Sequence, residues 1–274
     1  MTDHTGKHLY KYYQKKIHDA LITLHEIKSI HSADEIHDLR VSIKKIRALF
    51  LLCEMLAPQK IDSDDSYKVF SKIFKQAGKI REMHINQALA DKYNLPESEN
   101  SAYKGFVSKE EKKDKKKFKD IIDQFDIKKF HKIDGDIKKI CKKTNKDELF
   151  KHSKKIIHKK IIKIKTNEKR SDEDLHDIRK HLKAIATLIS ILCSVTPSKK
   201  LDQKLNNIEN VEKSIGDMHD HSGFKKSIKS FLKDHKKNSG EFTNTKKLLT
   251  QLTKKNNAAV KASRNKVNQL FDLN

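Results

Sequence analysis

Apolar residues recur along most of the chain at three- and four-residue intervals, the period of amphipathic helices rather than the alternation of strands. Leu9, Ile17, Leu21, Leu24 and Ile27 space out a first helix over about 6–29. Ser32, with Glu35 three residues on, has the form of a capping box and opens a second helix that runs to Pro58. A third covers about 64–93, ahead of Pro96. A fourth, about 99–125, depends on Phe106, Val107, Phe118 and Ile121. Its middle, SKEEKKDKKKFKD, is so charged that it reads as a solvated face or a loose connector. Further helices are predicted at about 147–166, 172–195, 198–219, 222–237 and 242–272.

The two halves answer each other. HDLRVSIKKIR, beginning at His37, matches HDIRKHLKAIA, beginning at His176, an offset of 139 residues. QAGKIREMH contains Gly78 and KSIGDMHDH contains Gly216, an offset of 138, each glycine standing within a helical pattern. Two independent matches at one offset point to a duplicated unit. The architecture they predict is all-α: two pseudo-symmetric four-helix bundles, at 1–127 and 128–240, followed by a C-terminal helical extension at 241–274.

Composition narrows the reading. With 7 Gly, 3 Pro and no Trp, the chain lacks the turns of a many-stranded protein and the glycine loops of nucleotide cradles, which argues against all-β and Rossmann folds. Cys53, Cys141 and Cys193 are odd in number and set among apolar neighbours, so they read as buried thiols in a reducing compartment. The longest apolar run, Ala184 to Val195, is shorter than the roughly 20 residues of a membrane span. The opening MTDHTGKHLYKYY lacks the apolar core of a secretory signal. These features predict a soluble, cytoplasmic protein without a membrane span. The 61 Lys and Arg against 37 Asp and Glu leave a net charge of +24, which calls for a polyanionic partner.

A helical wheel places the cations. Ile36, Leu39, Ile43, Ile46 and Phe50 share one arc, the core stripe, and His37, Arg40, Lys44 and Arg47 share the adjacent one. In the second unit Leu175, Ile178, Leu182, Ile185 and Ile189 form the stripe, with His176, Arg179 and Lys183 on its shoulder. Cations on the shoulder of a buried face line a groove. Only six arginines, at 40, 47, 81, 170, 179 and 264, stand among 55 lysines, and four of them fall in the duplicated motifs. An arginine where lysine is the default marks a place for planar, bidentate recognition of phosphate or carboxylate, unless it pairs with acids of neighbouring helices.

These motifs resemble the CHAD domain, the conserved histidine α-helical domain: His, two residues, Arg, three residues, Lys, seen twice, with GKIRE after the first. The resemblance covers about residues 6–237. It implies paired helical bundles that bind inorganic polyphosphate in a basic channel without hydrolysing it. It also implies a site made of His37, Arg40, Lys44, Lys45, Arg47 and Arg81 with His176, Arg179 and Lys183. Departures are Glu82 in place of the family's usual Asp, His219 at the position answering Arg81, and Ala184 and Ala186 where Lys45 and Arg47 have their counterparts. The two alanines predict a second half weaker by two cations.

Polyphosphate also suits the residues themselves, since a base-free chain of about one charge per phosphate needs a row of cations and no stacking platform. Aromatics are only 7% of the chain, whereas single-stranded nucleic-acid binders offer aromatic faces. Nucleic acid, or polyanions in general, is the alternative that the net charge supports. Catalysis has little support: no serine or cysteine nucleophile recurs beside the histidines. The glutamate-rich E-x-E-x-K string of the triphosphatase domain that accompanies some CHAD domains is absent, its nearest approach being ESENS at 97–101. No cofactor is predicted. His4 with His8, and His219 with His221 around Asp220, fall short of the ligand count of a structural zinc site, although a divalent cation bridging phosphates to Glu82 or Asp220 is conceivable. Storage, sensing and attachment to polyphosphate granules are equally compatible roles.

Overall fold

A computed structural model describes residues 4–26, 32–166, 172–235 and 242–271; Ile27 and Arg170 lie outside them. Among the described residues there are nine helices and no strand: α1 (Thr5–Glu26), α2 (Ala33–Leu56), α3 (Ser63–Lys92), α4 (Glu97–Asp123), α5 (Ile127–Lys143), α6 (Lys146–Lys165), α7 (Asp172–Val195), α8 (Lys199–Asp234) and α9 (Thr243–Phe271). No helix among them is long and apolar enough to cross a membrane.

The capping box predicted at Ser32 closes reciprocally. The Glu35 amide donates to Ser32 Oγ at 3.1 Å and the Ser32 amide to Glu35 Oε2 at 2.9 Å, satisfying two of the orphan donors that start α2. Side chains of Asp62, Asp126 and Asn145 cap α3, α5 and α6. Both predicted stripes are buried throughout, from Ile36 to Phe50 and from Leu175 to Ile189. Cys53 and Cys141 are buried and Cys193 is half-buried, all three as free thiols.

The all-α arrangement of two helical sets with one extra helix holds, but two assignments within it differ from expectation. The segment 198–237 forms the single long α8 instead of two helices. Its apolar stripe runs Ile208, Val211, Ile215, Met218 and then shifts to Phe224, Ile228, Phe231, a jump of about 120° around the axis at about 100° per residue. The shift marks a change of neighbours, because the first group packs with α7 and α9 and the second with Tyr103 and Val107 of α4. The unassigned stretch after 126 forms α5, with Phe130, Ile133, Ile137 and Ile140 inward against α1 and α2. α9, expected as a C-terminal extension at 241–274, packs along α8 as α4 packs along α3, so α9 takes the place of the fourth member of the second set and α5 is the helix without a counterpart.

The charged middle of α4 is a regular helix held by buried polar pairs. Gln76 donates to Asp114 Oδ1 at 2.9 Å, and Glu111 takes up His84 Nε2 at 3.0 Å and Lys115 Nζ at 2.6 Å. Burying a carboxylate is tolerable only with such partners. Of the anchors predicted for this helix, Val107 and Phe118 are buried and Phe106 and Ile121 are half-buried against the cores, while Ile122 adds a buried position that was not predicted.

Candidate functional site: a basic cavity between the repeats

Each set contributes its second and third helices to a central cavity of about 470 Å³. α2 supplies His37, Arg40 and Lys44; α3 supplies Phe74, Gly78, Arg81, Glu82, Ile85 and Asn86. From the other repeat, α7 supplies His176, Arg179, Lys180 and Lys183, and α8 supplies His219, Asp220 and Gly223. His37 and His176, Arg40 and Arg179, and Lys44 and Lys183 face it as pairs at the 139-residue offset of the sequence repeat.

Gly78 and Gly216 earn their place by close approach, not by unusual backbone. A Cβ on Gly78 would stand 2.5 Å from Arg40 Nη1, and one on Gly216 would stand 2.7 Å from Arg179 Nη2. Each repeat thus brings a guanidinium close against the bare backbone of the facing helix. There the two arginines part company. Arg40 donates from Nη1 to the Phe74 carbonyl at 2.6 Å and lies 4.2 Å over the Phe74 ring. Arg179 donates from Nε to Glu212 Oε1 at 2.9 Å, and Lys183 Nζ reaches the same oxygen at 3.1 Å.

The cations crowd one another. Lys44 is pushed strongly down from the ordinary lysine range, by burial first and then by Lys183 and Arg40. Burial lowers Arg40 as well, with Arg179 and Arg81 adding to it. The histidines behave alike: burial and then Arg81 lower His37, burial and then His219 lower His176, and burial and then Arg179 lower His219. The His176 and His219 rings lie 4.8 Å apart. Asp220 is pushed up by burial despite the nearby Arg179 and Lys183. A set of partly buried cations held this close is relieved by an anion that bridges them.

Seven of the nine expected site residues line this cavity: His37, Arg40, Lys44, Arg81, His176, Arg179 and Lys183. Lys45 and Arg47 do not. Lys45, one helical step round from Lys44, turns toward Lys16 and Asp19 of α1. Arg47, a turn beyond Lys44, lies 4.4 Å over the Tyr67 ring and 3.6 Å from Asp64, with 57% of its side chain exposed. Ala184 and Ala186 are likewise absent from the lining, so they do not set the imbalance between the halves; Glu212 does. Sequence reasoning missed Phe74, Ile85, Asn86, Lys180 and Gly223. Phe74 and Glu212 stand 138 residues apart, so the glycine offset carried to the preceding turn would have paired them.

Among the described residues no group of three or more His, Cys, Asp or Glu side chains could hold a metal ion. The acidic ESENS segment has a structural role. Glu99 is buried and accepts from the Thr245 amide at 2.7 Å, the Thr245 hydroxyl at 2.6 Å and Asn244 Nδ2 at 2.9 Å, capping the start of α9.

Comparison with known proteins adds two findings. The sequence profile of the CHAD domain matches residues 18–226 and 155–269. The crystal structure of the CHAD domain from the plant Ricinus communis superposes with a TM-score of 0.76 over 96% of this chain and 91% of that one, at 10% sequence identity. No curated protein matches the chain.

Proposed function

Taking as premise that the chain belongs to the CHAD domain family, we propose that it binds inorganic polyphosphate in the cavity between the repeats and does not hydrolyse it. The observation that carries this reading is the facing pairs of His, Arg and Lys, where burial first and neighbouring cationic side chains second lower Lys44 and the histidines. A phosphate chain supplies many oxygens in a row, and guanidinium forks grip such oxygens in bidentate fashion. The lining holds one phenyl ring, Phe74, and Arg40 covers one of its faces at 4.2 Å.

Binding without turnover fits the side chains present. Among the described residues the lining holds no serine, threonine or cysteine to act as nucleophile. The histidines, lowered by burial first and by neighbouring side chains second, can each still donate one ring N–H to phosphate. On this reading the protein acts in the cytoplasm and on polyphosphate granules where these form. The net charge of +24 favours a second reading, a general polyanion or nucleic-acid binder using the outer lysines.

Competition separates the two. Labelled long-chain polyphosphate is titrated at about 0.15 M salt against single- and double-stranded DNA and RNA of matched charge. The proposal expects polyphosphate to prevail by orders of magnitude. It also expects Arg40→Ala with Arg179→Ala to weaken binding far more than neutralising several lysines between 109 and 119. Nucleic acid competing at equal charge, or the outer lysines mattering equally, would overturn it.

A further inference from the structure

The repeats differ at one position of the cavity wall, where Phe74 in the first is answered by Glu212 in the second. Phe74 leaves the guanidinium of Arg40 in place over a neutral ring. Glu212 takes the equivalent arginine into an ion pair and, through the same oxygen, takes Lys183 as well. The pair is well covered, with Arg179 and Glu212 side chains each 21% exposed. Glu212 does not line the central cavity. It lines an adjoining recess of about 340 Å³ with Glu209, Asp217 and Asp220, and Arg179 borders both spaces.

Resting on the polyphosphate reading, we infer that Glu212 is an internal counter-anion holding Arg179 and Lys183 until a bound chain displaces it, so that the cavity selects its ligand by the number of linked phosphates. A short phosphate is satisfied by the first half, where among the described residues no carboxylate is ion-paired with Arg40, Lys44, His37 or Arg81 as Glu212 is with Arg179 and Lys183. It gains nothing by reaching further, because Glu212 already occupies the cations beyond. A longer chain anchored in the first half presents more oxygens to Arg179 and Lys183 at high local concentration. It competes with a single carboxylate and wins both cations together. Affinity therefore climbs steeply once the chain spans the two repeats.

The test uses the full chain at about 0.15 M salt with pyrophosphate, tripolyphosphate and long-chain polyphosphate as probes. Glu212→Gln is expected to tighten the shortest chains that reach both halves by about tenfold or more, the range of one charge-assisted hydrogen bond, and to flatten the dependence on length. Glu209→Gln changes the net charge identically in the same recess, without a bond to Arg179, and is expected to have a much smaller effect. Phe74→Glu installs the same carboxylate in the first repeat and is expected to weaken short chains most; it carries the test alone if Glu212→Gln fails to fold. An equal shift at every length, or equal effects of the two glutamate variants, overturns the inference and leaves polyphosphate binding standing. If polyphosphate binds no better than equally charged nucleic acid, the functional reading falls. The latch is then judged by the same variants on oligonucleotides of graded length, and it falls too if none of these anions binds.

Discussion

Replacing Gly78 by alanine probes the packing on which the site depends, because two effects of known size oppose each other there. In a helix interior alanine is favoured over glycine by about 1 kcal/mol. Gly105 in α4 and Gly135 in α5 have open space where a Cβ would go. Gly105→Ala and Gly135→Ala should therefore each stabilise the protein by roughly that amount, or about 2–4 °C in Tm for a chain of this size. At Gly78 the new Cβ would stand 2.5 Å from Arg40 Nη1 and 3.3 Å from its Cζ. Ordinary contact needs about 3.5 Å, so the guanidinium must retreat by about 1 Å.

That retreat breaks the 2.6 Å bond to the Phe74 carbonyl, and a hydrogen bond from a charged group contributes about 1.5–3 kcal/mol. Set against the gain in helix propensity, Gly78→Ala should be about 0.5–2 kcal/mol less stable than the native chain. Displacing Arg40 should also weaken polyphosphate binding about tenfold or more, whereas the Gly105 and Gly135 variants should bind normally. Thermal denaturation and the polyphosphate titration read both quantities. A Gly78→Ala protein as stable as Gly105→Ala, with unimpaired binding, would refute the close packing of Arg40 on α3.

Lys44 and the three cavity histidines have lowered folded-state values, so the unfolded chain binds more protons across their windows and anion-free stability should rise with pH. For Lys44 the window runs from about 6 to the ordinary value of 10.5. Polyphosphate restores the charged forms, so calorimetry in two buffers of different ionisation enthalpy should register proton uptake on binding near neutral pH; zero uptake would contradict the crowding of the cations. Glu99→Ala should cost about 2–3 kcal/mol and speed hydrogen exchange at the start of α9, and unchanged exchange there would refute the cap. Although burial alone would raise Glu99, the bonds from Thr245 and Asn244 lower it on balance. Its contribution should therefore be complete above the ordinary glutamate range and fade as pH falls below it. Gly6→Ala would press a methyl onto the Cys141 carbonyl at the end of α5 and should cost about 1–3 kcal/mol by overpacking, visible as a lower Tm; an unchanged Tm would show that α1 does not sit so close.

Much of the site was legible because it follows from periodicity. The stripes Ile36 to Phe50 and Leu175 to Ile189 are buried, which turns their shoulders toward the space between the repeats and brings His37, Arg40, Lys44 and their counterparts together. Where reading by periodicity failed, a neighbour had decided the outcome. The stripe of α8 changes face because the helix passes from one core to another. Buried Glu99, Glu111 and Asp114 look like solvated charge until Thr245, His84 and Gln76 are set beside them. α5 is a different case: its inward residues recur at helical spacing, and only the surrounding lysines obscured it.

The scarcity of arginine now has a mechanical explanation. In each repeat a glycine exposes a strip of helix backbone, and a guanidinium, Arg40 or Arg179, comes close enough to it that a Cβ would clash. An ammonium on a flexible stem could supply the charge, but not the planar face that stacks on Phe74 while donating past it to a carbonyl. Glycine and arginine are thus one device, used twice, and it fixes two guanidiniums at the wall before any ligand arrives. Ordering those side chains in the folded protein removes part of the entropic cost of binding, so the wall can favour a phosphate chain over the many looser contacts that the outer lysines offer to any polyanion. In the second repeat Glu212 pairs with that arginine, so on the reading proposed above one guanidinium is available at once and the other on displacement of the carboxylate.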